Sequence, residues 1–515
     1  MNRLLKDIPS KPFQLSNSGL NSLEWYLLIF GLALMSFLLS WPIFNFGIAI
    51  EVALAIFTGM VLLRIFLRHS RRGRWHLIVG ELVTPGFLWL LFGFGGIISL
   101  LKLDDIHYYG IKYDIATVIM FSLYALIGGI CYIIAFRVIF KNSPSTESRA
   151  ESKISKRKVL ILLLIVLSID WYSRYKLISA GLYFNWAVMA ATKLGLLDKT
   201  IRGISMLFHI QRAIGPIALS LLTYLALSSR RGWPYSLLIL LQILLIAVNG
   251  DRSDLLFSFF ILAVSYAMVK RIRIDVKLLF VGALFALIFF GIISPLIQEA
   301  RIFMRRDARQ LIRDPASIPA RFVFDYLPKS LDPEAIFDRD DTSNRQSLLG
   351  RVGGYMTYAA SMYESIMNGR RLQPLSGARD ELSLLIPRVL YPQKPSVDAD
   401  ARLQRHFRIG MPGYDSPGTH LVDVFSFFHI AGVVLLFLFM GMLYGFMANH
   451  LSFRYGLLGN IILIGMMPLF VPTGDAFAQV FVNVRNIALF LVVVAVVFHG
   501  IHILPKPSHR VLRYG

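Results

Sequence analysis

The chain has 515 residues, 56% of them hydrophobic and 16% charged, with a mean hydropathy of +0.61, a balance that excludes an ordinary soluble multi-domain protein. The formal charge of +22 falls mainly in short loops between apolar runs, where anionic lipid is the usual counter-surface, so no nucleic-acid partner is needed. One cysteine, Cys131, excludes an internal disulfide.

A membrane-spanning helix needs ~20 mostly apolar residues, because hydrocarbon offers no partner to an unpaired backbone group. In chain order the predicted spans are 23–40, 47–67, 77–101, 115–136, 159–170, 208–228, 234–248, 255–269, 278–297, 421–447, 457–471 and 478–499. The fold class expected is therefore all-α: a polytopic membrane protein of about twelve transmembrane helices. With the N-terminus cytoplasmic, the loops assigned to that side carry 25 Lys and Arg against 8 in the short loops opposite. That excess obeys the positive-inside rule and predicts both termini in the cytoplasm. The first apolar run lacks a small-residue cleavage pattern and is read as a retained span.

Residues 1–297 are read as a membrane domain with nine spans, 298–420 as one large extracytoplasmic loop, and 421–515 as three further spans with a cytoplasmic C-terminus. The stretch 141–158 is polar, mixed in charge and suited to a linker. The outside stretch 171–205 carries Trp171, Tyr172, Tyr175, Tyr183, Phe184 and Trp186, which suit an interfacial belt or sugar stacking. In the large loop, 298–313 continues the ninth span as a helix ending before Pro315. Residues 343–368 repeat apolar side chains at three- and four-residue steps, with Gly369 as the C-cap. Between 385 and 417 the pattern breaks into Pro and Gly turns.

Charged residues at or inside apolar runs cluster on the outside face: Asp170 and Arg174 end the fifth span, Arg212 enters the sixth, and Asp251, Arg252 and Asp254 join the seventh to the eighth. Glu299, Arg301, Arg305 and Arg306 follow the ninth, Asp423 opens the tenth, and Arg485 lies inside the twelfth. Intramembrane charges tend to face a cavity or a partner. Guanidinium groups pair bidentately with phosphate oxygens, so several of them point to a multiply charged anion, of which a lipid-headgroup phosphate or pyrophosphate is the most available. The alternative is a set of snorkelling arginines and inter-helix ion pairs. Asp423, His420 and Asp415 are candidate general bases in the segment returning to the membrane, and each also fits a capping or interfacial role. No GxxxxGK[ST], HExxH or CxxC occurs, so neither nucleotide hydrolysis nor zinc is expected, and no cofactor or metal is predicted.

From about 249 to 446 the chain resembles the Wzy-type O-antigen polymerases, which share their architecture with O-antigen ligases. GDRSD at 250–254 is similar to the family's Gly-x-Arg turn, and LIPRVLYPQKP at 385–395 to its Pro-Arg-x-x-x-Pro-x-Lys-Pro stretch. A Gly-rich turn with Thr419, an acidic residue at Asp423, and a Gly-containing span at 429–445 follow in the family's order. The Arg-x10-Gly spacing of some relatives occurs at Arg339/Gly350 and Arg402/Gly413; many relatives have Glu where this chain has Asp423.

The resemblance implies a GT-C-like glycosyltransferase on the periplasmic face of the bacterial inner membrane. It would transfer glycan from one undecaprenyl pyrophosphate to the repeat unit on another, without nucleotide or metal. Its partners would be that lipid-linked oligosaccharide, membrane lipids and a chain-length regulator. Asp423, then His420, are the expected bases, with Arg252 stabilising the departing group. Arg212, Asp251, Arg301, Arg305, Arg388, Lys394 and Arg485 are the expected substrate-binding set. A ligase of the same architecture and a lipid-linked oligosaccharide transporter are the alternatives; the chain shows no internal repeat of the kind transporters carry.

Overall fold

The computed structural model describes residues 22–40, 46–71, 74–101, 114–140, 155–179, 204–248, 252–270, 272, 318–321, 324–325, 328, 348–386, 391, 393, 399–407, 419–471 and 477–499. These residues are almost entirely helical and contain no strand. The helices of the membrane part are α1 (Ser22–Ser40), α2 (Phe46–Arg71), α3 (Trp75–Leu88), α4 (Gly95–Leu101), α5 (Ile115–Ile139), α6 (Lys156–Ser179), α7 (Ile204–Ser228), α8 (Trp233–Val248) and α9 (Arg252–Val269). A π-helical segment, Trp89–Phe94, joins α3 to α4. The polar stretch contributes α10 (Leu348–Met367), α11 (Leu375–Leu382) and α12 (Ala399–Phe407); α13 (His420–Met466) and α14 (Ala478–His499) return to apolar sequence.

Among the described residues five helical stretches are long and apolar enough to cross a membrane: Phe46–Ser70, Trp75–Leu101, Ile115–Ile139, His420–Phe470 and Gln479–Phe498. Shorter apolar helices cover Leu27–Ser40, Ala213–Ser228, Trp233–Ala247 and Asp254–Val269. On α8 the exposed side chains Trp233, Leu237, Leu240, Leu241 and Leu244 recur at helical spacing. Such an outward apolar stripe would be unfavourable in water and is the ordinary surface of a helix in lipid. The predicted ninth span, 278–297, lies outside the described residues.

The centre of the bundle is the pair α5 and α13, which run side by side in the same direction. Phe425 packs on Phe121 and Tyr124, and Gly128 sits against Phe437. Further along, Gly441 meets the Tyr132 carbonyl and Gly445 that of Phe136. A Cβ at Gly441 would lie 2.3 Å from that carbonyl oxygen, so glycine is what lets the two backbones approach. α13 is not one straight rod: His429 (φ 55°, ψ −152°) and Gly456 (φ 53°, ψ −126°) leave helical geometry inside it.

Polar contacts gather at two ends of the α5/α13 pair. At one end Glu81 accepts from Arg137 Nη2 at 2.7 Å and lies 3.2 Å from His69 Nε2, while Lys156 and Lys158 donate to the C-terminal carbonyls of Ser228 and Phe498. Cationic groups there complement the helix dipoles. At the other end α10 lies over α4 and α5, with Ser99 Oγ 3.1 Å from Thr357 Oγ1 and Thr117 donating to Glu364 at 3.2 Å. The described part of α10 begins at Leu348, residues 343–347 lying outside the described residues, and its cap is as expected: Gly369 has φ +92°, a conformation that favours glycine.

Candidate functional site

Three helices from different parts of the chain bring charge together at the α10 end. Thr419 caps α13, its hydroxyl accepting from the Val422 N–H at 3.2 Å, and this places Asp423 in the first turn. Asp423 is fully buried. Its Oδ1 accepts from Arg402 Nη2 at 3.1 Å, and its Oδ2 accepts from the backbone N–H of Phe477 at 2.7 Å. The same Arg402 nitrogen donates to Glu381, also fully buried, and Arg402 Nε donates to Gln373 Oε1 at 2.5 Å. Gln373 in turn donates through its side chain to Ser426 Oγ and through its backbone to the Ser426 carbonyl, both at 2.9 Å.

The local sequence explains each position. α12 buries Leu403 and Phe407, four residues apart, and this face fixes Arg402 over the ring of Phe427, with its guanidinium carbon 4.7 Å from the centroid. Gly377, in the first turn of α11, has no side chain where Phe427 and the Arg402 stem pass; a Cβ there would be 3.1 Å from the Phe427 ring. The C-terminus of α12 is held from α10 and its exit: Ser365 donates to the Phe407 carbonyl at 3.1 Å, and Arg370 to that of His406 at 2.7 Å.

Arg402, Glu381 and Asp423 sum to a formal charge of −1. Both Asp423 oxygens are engaged, whereas the Arg402 side chain is 20% exposed, so Arg402 is the member of the three that keeps access to the outside. Burying two carboxylates around one guanidinium stabilises less than apolar packing of the same volume would, and such sites are enriched where function demands them.

Of the residues expected from sequence, Asp423 lies in this cluster and His420 is buried in the same first turn of α13. Arg485 on α14 donates to the Leu385 carbonyl at 3.1 Å, and so holds the turn that follows α11 and Glu381. Arg212 lies in α7 and Arg252 opens α9, and only their backbones are described. Asp251, Arg301, Arg305, Arg388 and Lys394 lie outside the described residues. Among the described residues no group of three His, Cys, Asp or Glu is arranged to hold a metal ion.

A second buried cluster sits in the C-terminal half of α6. Asp170 Oδ2 accepts from Arg174 Nε at 2.9 Å and from Gln242 Nε2 at 2.7 Å, and Gln242 Oε1 accepts from Trp171 Nε1 at 3.1 Å. Gly215 of α7 leaves room for it, a Cβ there falling 3.2 Å from both Arg174 Nη2 and Asp170 Oδ1. Trp171 is thus a hydrogen-bonding group inside the bundle, whereas Tyr172 and Tyr175 remain exposed as interfacial residues do. Tyr183, Phe184 and Trp186 lie outside the described residues.

Glu381 and Gln373 carried no motif in the sequence, and Arg402 appeared only through its spacing to Gly413. The signal that does exist is the Leu403/Phe407 pair, which marks a short amphipathic helix where Pro and Gly turns were expected.

No family model matches the chain, and neither does any characterised protein or solved structure.

Proposed function

We propose that the chain is a membrane glycosyltransferase that joins undecaprenyl-pyrophosphate-linked oligosaccharide repeats into a polysaccharide at the periplasmic face of the bacterial inner membrane. In this reading it has about twelve spans, a GT-C-like arrangement, both termini in the cytoplasm, and a loop that closes over the site. The observation that carries the proposal is the buried Asp423–Arg402–Glu381 cluster, which ties the polar stretch to the head of the central helix and leaves the Arg402 side chain partly exposed. The PRVLYPQKP stretch and the acidic residue at 423 agree with it at the level of sequence.

The chemistry needs an acceptor hydroxyl to attack the anomeric carbon of the donor glycan while the bond from that carbon to the pyrophosphate oxygen breaks. The pyrophosphate leaves with the bonding pair. Arg402 meets the growing negative charge, with Arg485 and the arginines of the predicted binding set, and so stabilises the departing group. As Arg402 turns toward the pyrophosphate, Asp423 Oδ1 loses its donor and becomes the acceptor for the hydroxyl proton. Glu381 keeps the guanidinium in place between turnovers.

The test is incubation of purified protein with one lipid-linked repeat unit, without added nucleotide or divalent metal, read as a glycan ladder. Wild-type protein yields the ladder, and Asp423→Asn protein of unchanged elution profile does not. A full ladder from Asp423→Asn, or none from well-folded wild type, overturns the proposal.

A further inference from the structure

Glu51 lies in α2 within an apolar stretch that crosses the membrane by length and composition, and its side chain is fully buried. Glu51 Oε1 is 2.5 Å from Ser122 Oγ of α5. The other oxygen, Oε2, is buried with no hydrogen-bond partner among the described residues. Ser122 Oγ is also 2.8 Å from the carbonyl oxygen of Phe92, which belongs to the π-helical segment. Gly96 of α4 makes the space, since a Cβ there would fall 2.3 Å from Glu51 Oε1. The π segment is itself braced on α2, Trp89 Nε1 donating to the Ala55 carbonyl at 2.7 Å. Local π geometry inside long helices is frequent at functional sites.

The proton count decides the state of the carboxyl. A serine hydroxyl carries one proton and a backbone carbonyl none, yet Ser122 Oγ makes two short oxygen–oxygen contacts. The second proton comes from Glu51 as a carboxylic acid: Glu51 O–H donates to Ser122 Oγ, and Ser122 O–H donates to the Phe92 carbonyl. Oε2 is then the carbonyl oxygen of a neutral acid. Leaving that atom unpartnered in a dry interior costs far less than leaving half of a carboxylate so. Gly96 of α4 and Ser122 of α5 face Glu51, with the Phe92 carbonyl of the π segment beyond Ser122, and no charged side chain among the described residues is paired with Glu51.

We propose that Glu51, Ser122 and the Phe92 carbonyl form a proton-binding site inside the membrane part of the bundle, with Glu51 loaded as the carboxylic acid and able to exchange that proton. A sodium ion would use the same oxygens, but the direct Glu51–Ser122 contact leaves no place for an ion between them. The site communicates with the polar stretch. Ser99, three residues after Gly96 on α4, touches Thr357 of α10 at 3.1 Å, so proton loss would place a charge about one turn from that contact.

The test uses the full chain in lipid nanodiscs and the hydrophobic reagent dicyclohexylcarbodiimide, which modifies protonated carboxyls in apolar surroundings. Labelling mapped by mass spectrometry is expected on Glu51, falling as pH rises, lost in Glu51→Gln, and unchanged by sodium chloride at fixed pH. Infrared difference spectra supply a readout independent of reagent access. A carboxylic-acid carbonyl band that disappears in Glu51→Gln supports the site even where the reagent does not reach it. The absence of such a band loss overturns the proposal, as does sodium-dependent protection against labelling.

Discussion

Replacing Arg402 by alanine removes the cation shared by two fully buried carboxylates, and its cost follows from the contacts around it. Breaking a buried ion pair by deleting one partner typically costs about 3–5 kcal/mol, because the remaining charge stays in a dry place. The lost stack on Phe427 and the orphaned Gln373 oxygen add about 1 kcal/mol each at most, and these terms are not additive. Protonation of one carboxyl relieves part of the penalty. An overall loss of about 4 kcal/mol is expected, measured by reversible unfolding in mixed detergent and sodium dodecyl sulfate micelles. Glu381→Gln changes the starting inventory to one carboxylate against one guanidinium. The double variant Glu381→Gln/Arg402→Ala should therefore lose less than the sum of the single variants, by about 1–3 kcal/mol. An Arg402→Ala protein within about 0.5 kcal/mol of wild type, the range of an uninvolved surface change, would refute the cluster as described.

At the α5/α13 seam, Gly441→Ala should unfold earlier by about 1–3 kcal/mol through overpacking on the Tyr132 carbonyl, whereas Gly86→Ala, with no atom within 4 Å of its Cβ, should not; thermal midpoints in one detergent compare them. His429 holds φ 55° inside α13, so the β-branched His429→Val should lower the midpoint while His429→Gly leaves it level or higher, by the roughly 1–3 kcal/mol that such backbone strain is worth.

Much of the helical architecture was legible because it rests on long apolar runs. The run at 115–136 is α5 almost residue for residue, and the 3–4 spacing before Gly369 is α10. The fifth apolar run ends at Asp170, whereas the helix that carries it, α6, continues to Ser179, because Asp170 and Arg174 are four residues apart and neutralise each other on one face of the helix. The predicted tenth and eleventh spans, ending at 447 and starting at 457, meet in a helix that runs past Met447 to a break at Gly456, inside the polar interval that separates them in the sequence. The π segment was hidden because it lies in uniformly apolar sequence. Asp423 could be nominated from its place before an apolar run. Its partners could not, since Glu381, Arg402 and Phe477 are distant in sequence and each is polar or apolar in an ordinary way until packing joins them.

The bond from the Phe477 N–H to Asp423 spans 54 positions and joins the threshold of α14 to the head of α13. α14 follows every other described helix in the sequence, so the hydrogen bonding of Asp423 is complete only once nearly all of the bundle has been synthesised.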